Sequence, residues 1–144
     1  GEFLFKFGKR GAAPGEFNFP THLAAGPDGL LFVTDSMNCR IEVFDAEGRL
    51  RNVIGRRGDS SGHFSRPKGI AVDSFGHLYV ADALFDNIQI FDRDGRFLLD
   101  VGTAGSGPGE FWLPAGLAIT RDNHIYVADS YNRRIQVLKY LGKP

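Results

Sequence analysis

The feature that most constrains this chain is an internal repeat. Gly8, Gly55 and Gly102 stand 47 residues apart; so do Phe17, Phe64 and Phe111, and Pro20, Pro67 and Pro114. Val33, Val80 and Val127 keep the step, as do Asp35, Asp82 and Asp129, and Ile41, Ile88 and Ile135. No gap is needed anywhere. The 144 residues divide into units 1–47, 48–94 and 95–141, with Gly142, Lys143 and Pro144 left over. The opening Gly1-Glu2-Phe3 could pass for a cloning scar, but it aligns with Gly48-Arg49-Leu50 and Gly95-Arg96-Phe97 and reads as native. Such a chain sets copies of one supersecondary unit side by side.

Each unit has the same grammar. In the second, an alternating segment, Leu50 to Gly55, leads into a long polar loop through Gly58 and Gly62 to Phe64 and Pro67. A short apolar strand, Gly69 to Val72, a tight turn at Ser74-Phe75-Gly76 and a second strand, Leu78 to Asp82, follow. A loop then leads to Ile88-Gln89-Ile90-Phe91, and Arg93-Asp94-Gly95 turns into the next unit. Gly and Asn in such turns supply the positive φ that hairpins require. Apolar residues alternate with period two, and no sustained 3.6-residue period appears. The expectation is all-β: four short antiparallel strands per unit, the pattern of a β-propeller blade, in a single segment over residues 1–144.

The stretches "GEFNFPTHLAAGPDGLLFVTDSMNCRIEVFD", "HFSRPKGIAVDSFGHLYVADALFDNIQIFD" and "GEFWLPAGLAITRDNHIYVADSYNRRIQVLKY" resemble NHL repeats over essentially the whole chain. The resemblance implies a propeller, in this family usually of six blades. Three blades are too few to close a ring. Residues 3–7 match the outer strand of a blade, whereas the stretch from Ile135 to Tyr140 matches a third strand with no outer strand after it. One reading is a homodimer in which two three-blade arcs make a six-bladed ring and residues 3–7 of each copy complete the last blade of the other. The other is a piece of a longer propeller or larger assembly.

Propeller connectivity puts the long loops on one face and the tight turns on the other. Loops on a rigid scaffold carry binding. The candidate binding residues there are Arg56, Arg57, Arg66, Lys68, Phe85, Trp112, Tyr131, Asn132 and Arg133, because Trp, Tyr and Arg are common interface anchors. His22 replaces Gly69 and Gly116 at the innermost strand, so it is expected near the central channel, as a hydrogen-bonded residue rather than a metal ligand. Asp35 with Arg40, and Asp129 with Arg134, are expected to cap and tie their loops. Asn87 breaks that pairing in the middle unit. Glu16 and Glu110 should make loop hydrogen bonds. His77 and His124 are expected in solvent on the turn face.

These residues set the expected function. Some six-bladed relatives, the amidating lyases and lactonases, are enzymes with a channel metal, but the inner strands here, Leu23-Ala24-Ala25, Ile70-Ala71-Val72 and Leu117-Ala118-Ile119, carry no acid. No nucleophile triad or phosphate loop appears. We therefore expect no catalysis, no cofactor and no metal, and a scaffold that binds a protein, a ligand or itself. The alternative, implied by NHL domains of the tripartite-motif type, is RNA binding on the basic, aromatic loop face. The 17 Lys+Arg balance 17 Asp+Glu, and Asp59, Asp82, Asp86 and Asp129 could pair with those Arg residues, which weighs against it. One cysteine allows no internal disulfide or Cys-cluster zinc site, no apolar run approaches the ~20 residues of a membrane span, and nothing marks a compartment.

Overall fold

The computed structural model describes residues 1–141, so the trailing Gly142–Pro144 lie outside the described residues. Alternation and turn chemistry give eleven strands: β1 (Pro20–Ala25), β2 (Leu31–Asp35), β3 (Arg40–Phe44), β4 (Leu50–Ile54), β5 (Pro67–Val72), β6 (Leu78–Asp82), β7 (Asn87–Phe91), β8 (Phe97–Val101), β9 (Pro114–Ile119), β10 (His124–Asp129) and β11 (Arg134–Lys139). They form three antiparallel sheets in sequence order, β1-β2-β3-β4, β5-β6-β7-β8 and β9-β10-β11. Register repeats with the sequence: Ile41 faces Ile54 in the first blade and Ile88 faces Val101 in the second. The inner strands β1, β5 and β9 lie side by side.

Two apolar clusters weld the blades. Ile41, Ile54, Phe64, Ile70 and Val80 join the first pair, and Tyr79, Ile88, Ile90, Phe111 and Val127 the second. Phe64 and Phe111 are completely buried, as a wedge residue between blades should be. Gly55 and Gly102 end β4 and β8 because a Cβ there would run into the rings of Phe64 and Phe111, and their φ angles of 76° and 97° suit glycine. Polar bonds reinforce the first seam: Thr34 Oγ1 donates to the Lys68 carbonyl (2.8 Å), and Ser36 Oγ to that of Pro67 (2.7 Å). Gly69 is needed for another reason, since a Cβ would meet the backbone of Ala115 to Leu117 in the next blade.

The middle blade is covered on both sides and every residue of β6 is buried; the outer blades are covered on one. Tyr79 and Ile88 are 1% exposed, and their counterparts Tyr126 and Ile135 are 40% and 62% exposed.

The repeat predicts a strand at residues 3–7, and the structure gives it no ladder. The reason is that β3 and β7 are already paired with β4 and β8, and β11, whose outer edge carries no strand among the described residues, belongs to the third blade, at the other end of the row. The segment nevertheless lies in the outer-strand slot. Phe7 packs on Phe44 (ring centroids 5.0 Å), and Phe5 and Phe7 cover Gly48 as Asn52 and Ile54 cover Gly95. A second correction concerns His77. It is not in solvent: its Nδ1 lies 2.9 Å from Asp73 Oδ2, which also accepts from the Tyr79 hydroxyl (3.1 Å).

One buried residue departs from the repeat chemistry. Gln89 and Gln136 each accept a glycine N–H and donate their amide to a loop carbonyl, His63 and Glu110 respectively, at 2.7 Å. Glu42 holds the same position, fully buried, with Oε1 on Gly15 N–H and Arg40, and Oε2 without a partner. Burial pushes its pKa up. We expect Glu42→Gln to stabilise the protein by about 1 kcal/mol, the worth of one recovered buried hydrogen bond. Because the folded pKa is raised, the folded state holds the proton longer, and the parent loses stability as pH rises from the ordinary 4.5 through the folded value. The gain should therefore be near zero below pH 4.5 and full above the folded pKa; melting curves at pH 4 and pH 8 check this. An equal gain at both would refute the proton argument.

Candidate functional site: the long-loop face

The loop joining the second and third strands of each blade is built around an aspartate. Asp35, Asp82 and Asp129 are fully buried. In the outer blades, the Arg at the start of the third strand meets that carboxylate, Arg40 with Asp35 at 2.9 Å and Arg134 with Asp129 at 2.8 Å. Their guanidiniums also donate to carbonyls of the long loop: Arg40 to Ala12, Ala13 and Glu16, and Arg134 to Ser106, Gly107 and Glu110. Burial pushes the Asp129 pKa up, but the Trp112 N–H, Asn132, Arg134 and Gln136 outweigh it and hold the group ionised below the usual range. In the middle blade Asn87 turns away to Asp100. Asp82 there instead takes backbone N–H groups from Ser65, Arg66, Leu84 and Phe85. Glu16 and Glu110 hydrogen-bond their own loops, through Ala13 N–H and Gly107 N–H.

These ties fix a scaffold on which other side chains are free. The Tyr131 N–H donates to the Trp112 carbonyl (3.1 Å), and the two rings stand 5.3 Å apart, tilted by 47°, with more than half of each exposed. Arg66 and Lys68, on the approach to β5 and within it, are half-buried. Among the described residues they make no ion pair and no side-chain hydrogen bond, and the same holds for Arg133. Arg56 donates to His63 Nε2 (3.0 Å), and Arg57 to the Met37 carbonyl (3.3 Å). Thus none of these five cations pairs with Asp59, Asp82, Asp86 or Asp129, and those acids do not cancel the basic side chains by direct pairing. Asp82 and Asp129 are spent as described, and Asp86 accepts the Leu113 N–H (2.7 Å).

The nine expected binding residues do not form one patch. Arg66, Lys68 and Tyr131 line a groove of about 370 Å³ between the second and third blades, together with Ala83, Leu84, Leu113, Ala115 and Ser130. Trp112 flanks it through Tyr131. Phe85 points to a separate hollow beside Asn87, Phe97 and Asp100. The Asn132 amide is occupied by the Gly105 carbonyl and Asp129. His22 is half-buried on β1. Its Nδ1 has no partner, and burial, with the nearby Lys68 charge, pushes its pKa down. Among the described residues, no three His, Cys, Asp or Glu side chains stand close enough together to hold a metal ion, and no helix is long and apolar enough to cross a membrane.

Sequence reasoning missed Leu84 and Leu113. A signal existed: Met37, Leu84 and Tyr131 occupy equivalent positions, always bulky and always exposed, where a solvated loop would carry polar residues.

Antiparallel sheets of four, four and three strands, set with their inner strands side by side, define this chain as β-propeller blades. A family model described as a 6-bladed β-propeller matches residues 74–140, and the NHL repeat model matches residues 17–44; the two matches bear out the NHL-repeat β-propeller resemblance. It is 41% identical over 51 residues to the human E3 ubiquitin-protein ligase TRIM32, a match that takes in 35% of this chain and 8% of the ligase. Among solved structures it resembles a catalytically inactive virginiamycin B lyase from Staphylococcus aureus with quinupristin, at 15% identity and TM-score 0.61, over 92% of this chain and 43% of that one. It also resembles a luciferin-regenerating enzyme (17% identity, TM-score 0.62, 89% and 47% of the chains). Kuenenia stuttgartiensis hydrazine synthase is similar at 20% identity and TM-score 0.58, over 82% and 34% of the chains. These likenesses show the fold, and the chain spans less than half of each structure.

Proposed function

We propose that the chain is a non-catalytic binding scaffold whose long-loop face holds a protein partner. The observation that carries this is the exposed Trp112–Tyr131 pair, set beside unpaired cations on loops that buried Asp and Arg residues hold rigid. The kinship with a ubiquitin-protein ligase agrees with recognition. Catalysis finds little support. The loop aspartates are held by backbone N–H groups and by Asn, Arg and Gln side chains, and the cluster of Asp73, His77 and Tyr79 sits at the turn face with Asp73 and Tyr79 buried.

RNA is the second reading, favoured by those same unpaired cations near two aromatic rings. One experiment separates the two. Immobilised chain should retain protein partners from extract, the Trp112→Ala/Tyr131→Ala double variant should lose them, and Arg96→Ala on the turn face should keep them. Equal retention by all three would overturn the loop-face reading. Material that ribonuclease removes would hand the site to RNA.

The assembly proposed for these 144 residues is a pair of arcs. Among the described residues β11 has an unpaired outer edge, and residues 3–7 already lie in an outer-strand slot. In the register of the other blades, Phe7 would face Ile135 and Phe3 would face Leu138. Light scattering reads this directly, and a stable 15.8 kDa monomer sinks it.

A further inference from the structure

The groove between the second and third blades differs from the rest of the face in being both apolar and cationic. Its floor and walls are aliphatic: Leu84, Leu113 and Ala115, with Tyr131 at one side. Leu84 is 54% exposed and Tyr131 60%, so both offer apolar surface left uncovered by the described residues. Arg66 and Lys68 stand on the wall, their stems half-buried and their charges without a carboxylate among the described residues.

The repeat shows that the fold does not need these charges. The positions of Arg66 and Lys68 are Phe19 and Thr21 one unit earlier, and Leu113 and Ala115 one unit later. At the first of these sites the backbone does the same structural work whether the residue is Phe19 or Arg66: the Ser36 and Ala83 N–H groups bond to the carbonyls of Phe19 and Arg66. Two cations that appear once in three repeats, that find no ion-pair partner among the described residues and that border an apolar hollow are chemistry beyond what blade-building requires.

Resting on the scaffold reading, we propose that this groove binds an acidic peptide segment. A carboxylate of the peptide meets Arg66 and Lys68, and a neighbouring aliphatic side chain enters between Leu84 and Leu113. The volume, about 370 Å³, suits a side chain or two with the peptide backbone that carries them. The complementarity is local. The nearby Asp82 and Asp86 accept backbone N–H groups of Ser65, Leu84 and Leu113, among others, and neither forms an ion pair with Arg66 or Lys68. The groove favours peptide over RNA because its floor is aliphatic rather than flat and aromatic, and the cations form a pair rather than a track along a phosphate backbone.

The test is selection of a random 12-residue peptide display library on the 144-residue chain, with a uridine 12-mer as a parallel probe. The expected result is enrichment of sequences with Asp or Glu beside Leu, Ile or Phe. Selected peptides should bind about tenfold more weakly to Arg66→Ala/Lys68→Ala and should weaken with salt. Arg96→Ala should bind as the parent does. Because both substituted side chains are half-exposed, circular dichroism should show an unchanged fold; the milder Lys68→Gln covers the case in which it does not. Enriched peptides that lack acids, that ignore both basic-residue variants and that depend on Trp112 and Tyr131 would overturn this proposal and leave the scaffold reading standing. No enrichment would overturn both. Binding of the uridine 12-mer alone, lost in the double variant, would reassign the groove to RNA.

Discussion

Asp82→Ala should be the most damaging single change outside the apolar core. Four backbone N–H groups, from Ser65, Arg66, Leu84 and Phe85, converge on that one carboxylate at 2.7 to 3.3 Å. No guanidinium shares the load, as Arg40 and Arg134 do in the other blades. With ~1–3 kcal/mol lost for each buried donor left unsatisfied, and some donors reaching water, the cost should be about 3–5 kcal/mol. Urea midpoints measure it. Asp82→Asn keeps one carbonyl oxygen for the three amides on Oδ1 and should fall in between. An alanine variant within about 1 kcal/mol of the parent would mean that water serves these amides as well as the carboxylate does.

The second large effect is a contrast between equivalent phenylalanines. Phe64 is fully buried between blades and packs on Phe91 at 5.7 Å, so Phe64→Ala should cost about 3–5 kcal/mol. Phe17 makes the matching contact to Phe44 at 5.6 Å but lies on the open flank, half-buried. Phe17→Ala should cost about half as much or less in a monomer, in proportion to the smaller area removed from water. At concentrations where a second copy covers that flank, its cost should climb toward that of Phe64→Ala. If the Phe17 cost ignores protein concentration over the range where light scattering reports a dimer, the proposed ring does not use that flank.

The blade architecture was legible because its determinants are local. Period-two alternation and Gly- or Asn-bearing turns reappear at a constant step, and a pattern seen three times leaves little room for another register. The loop ties were half legible: the Asp35–Arg40 pairing follows from recurrence, but the reach of Arg40 to carbonyls of Ala12, Ala13 and Glu16 depends on how the long loop folds back. The fate of residues 3–7 was not legible, because a strand exists only when another strand is there to pair with it. His77 was misjudged for a similar reason, since Asp73, four residues before it, curls under the turn and accepts the ring nitrogen. The candidate site was legible as a list and not as a place. Phe85, Arg66 and Asn132 read alike as loop residues, but only the folded chain separates an outer hollow, a groove wall and an internal tie.

The seam between the first two blades has a consequence for change over time. Thr34, Ser36 and Cys39 reach across it to the carbonyl oxygens of Lys68, Pro67 and Ser65. Every acceptor is main chain, present whatever side chain the residue carries. The joint is therefore blind to the identity of residues 66 and 68, which can be rewritten while the blades stay fastened. Such a propeller can change what it recognises along one wall without renegotiating how it is held together.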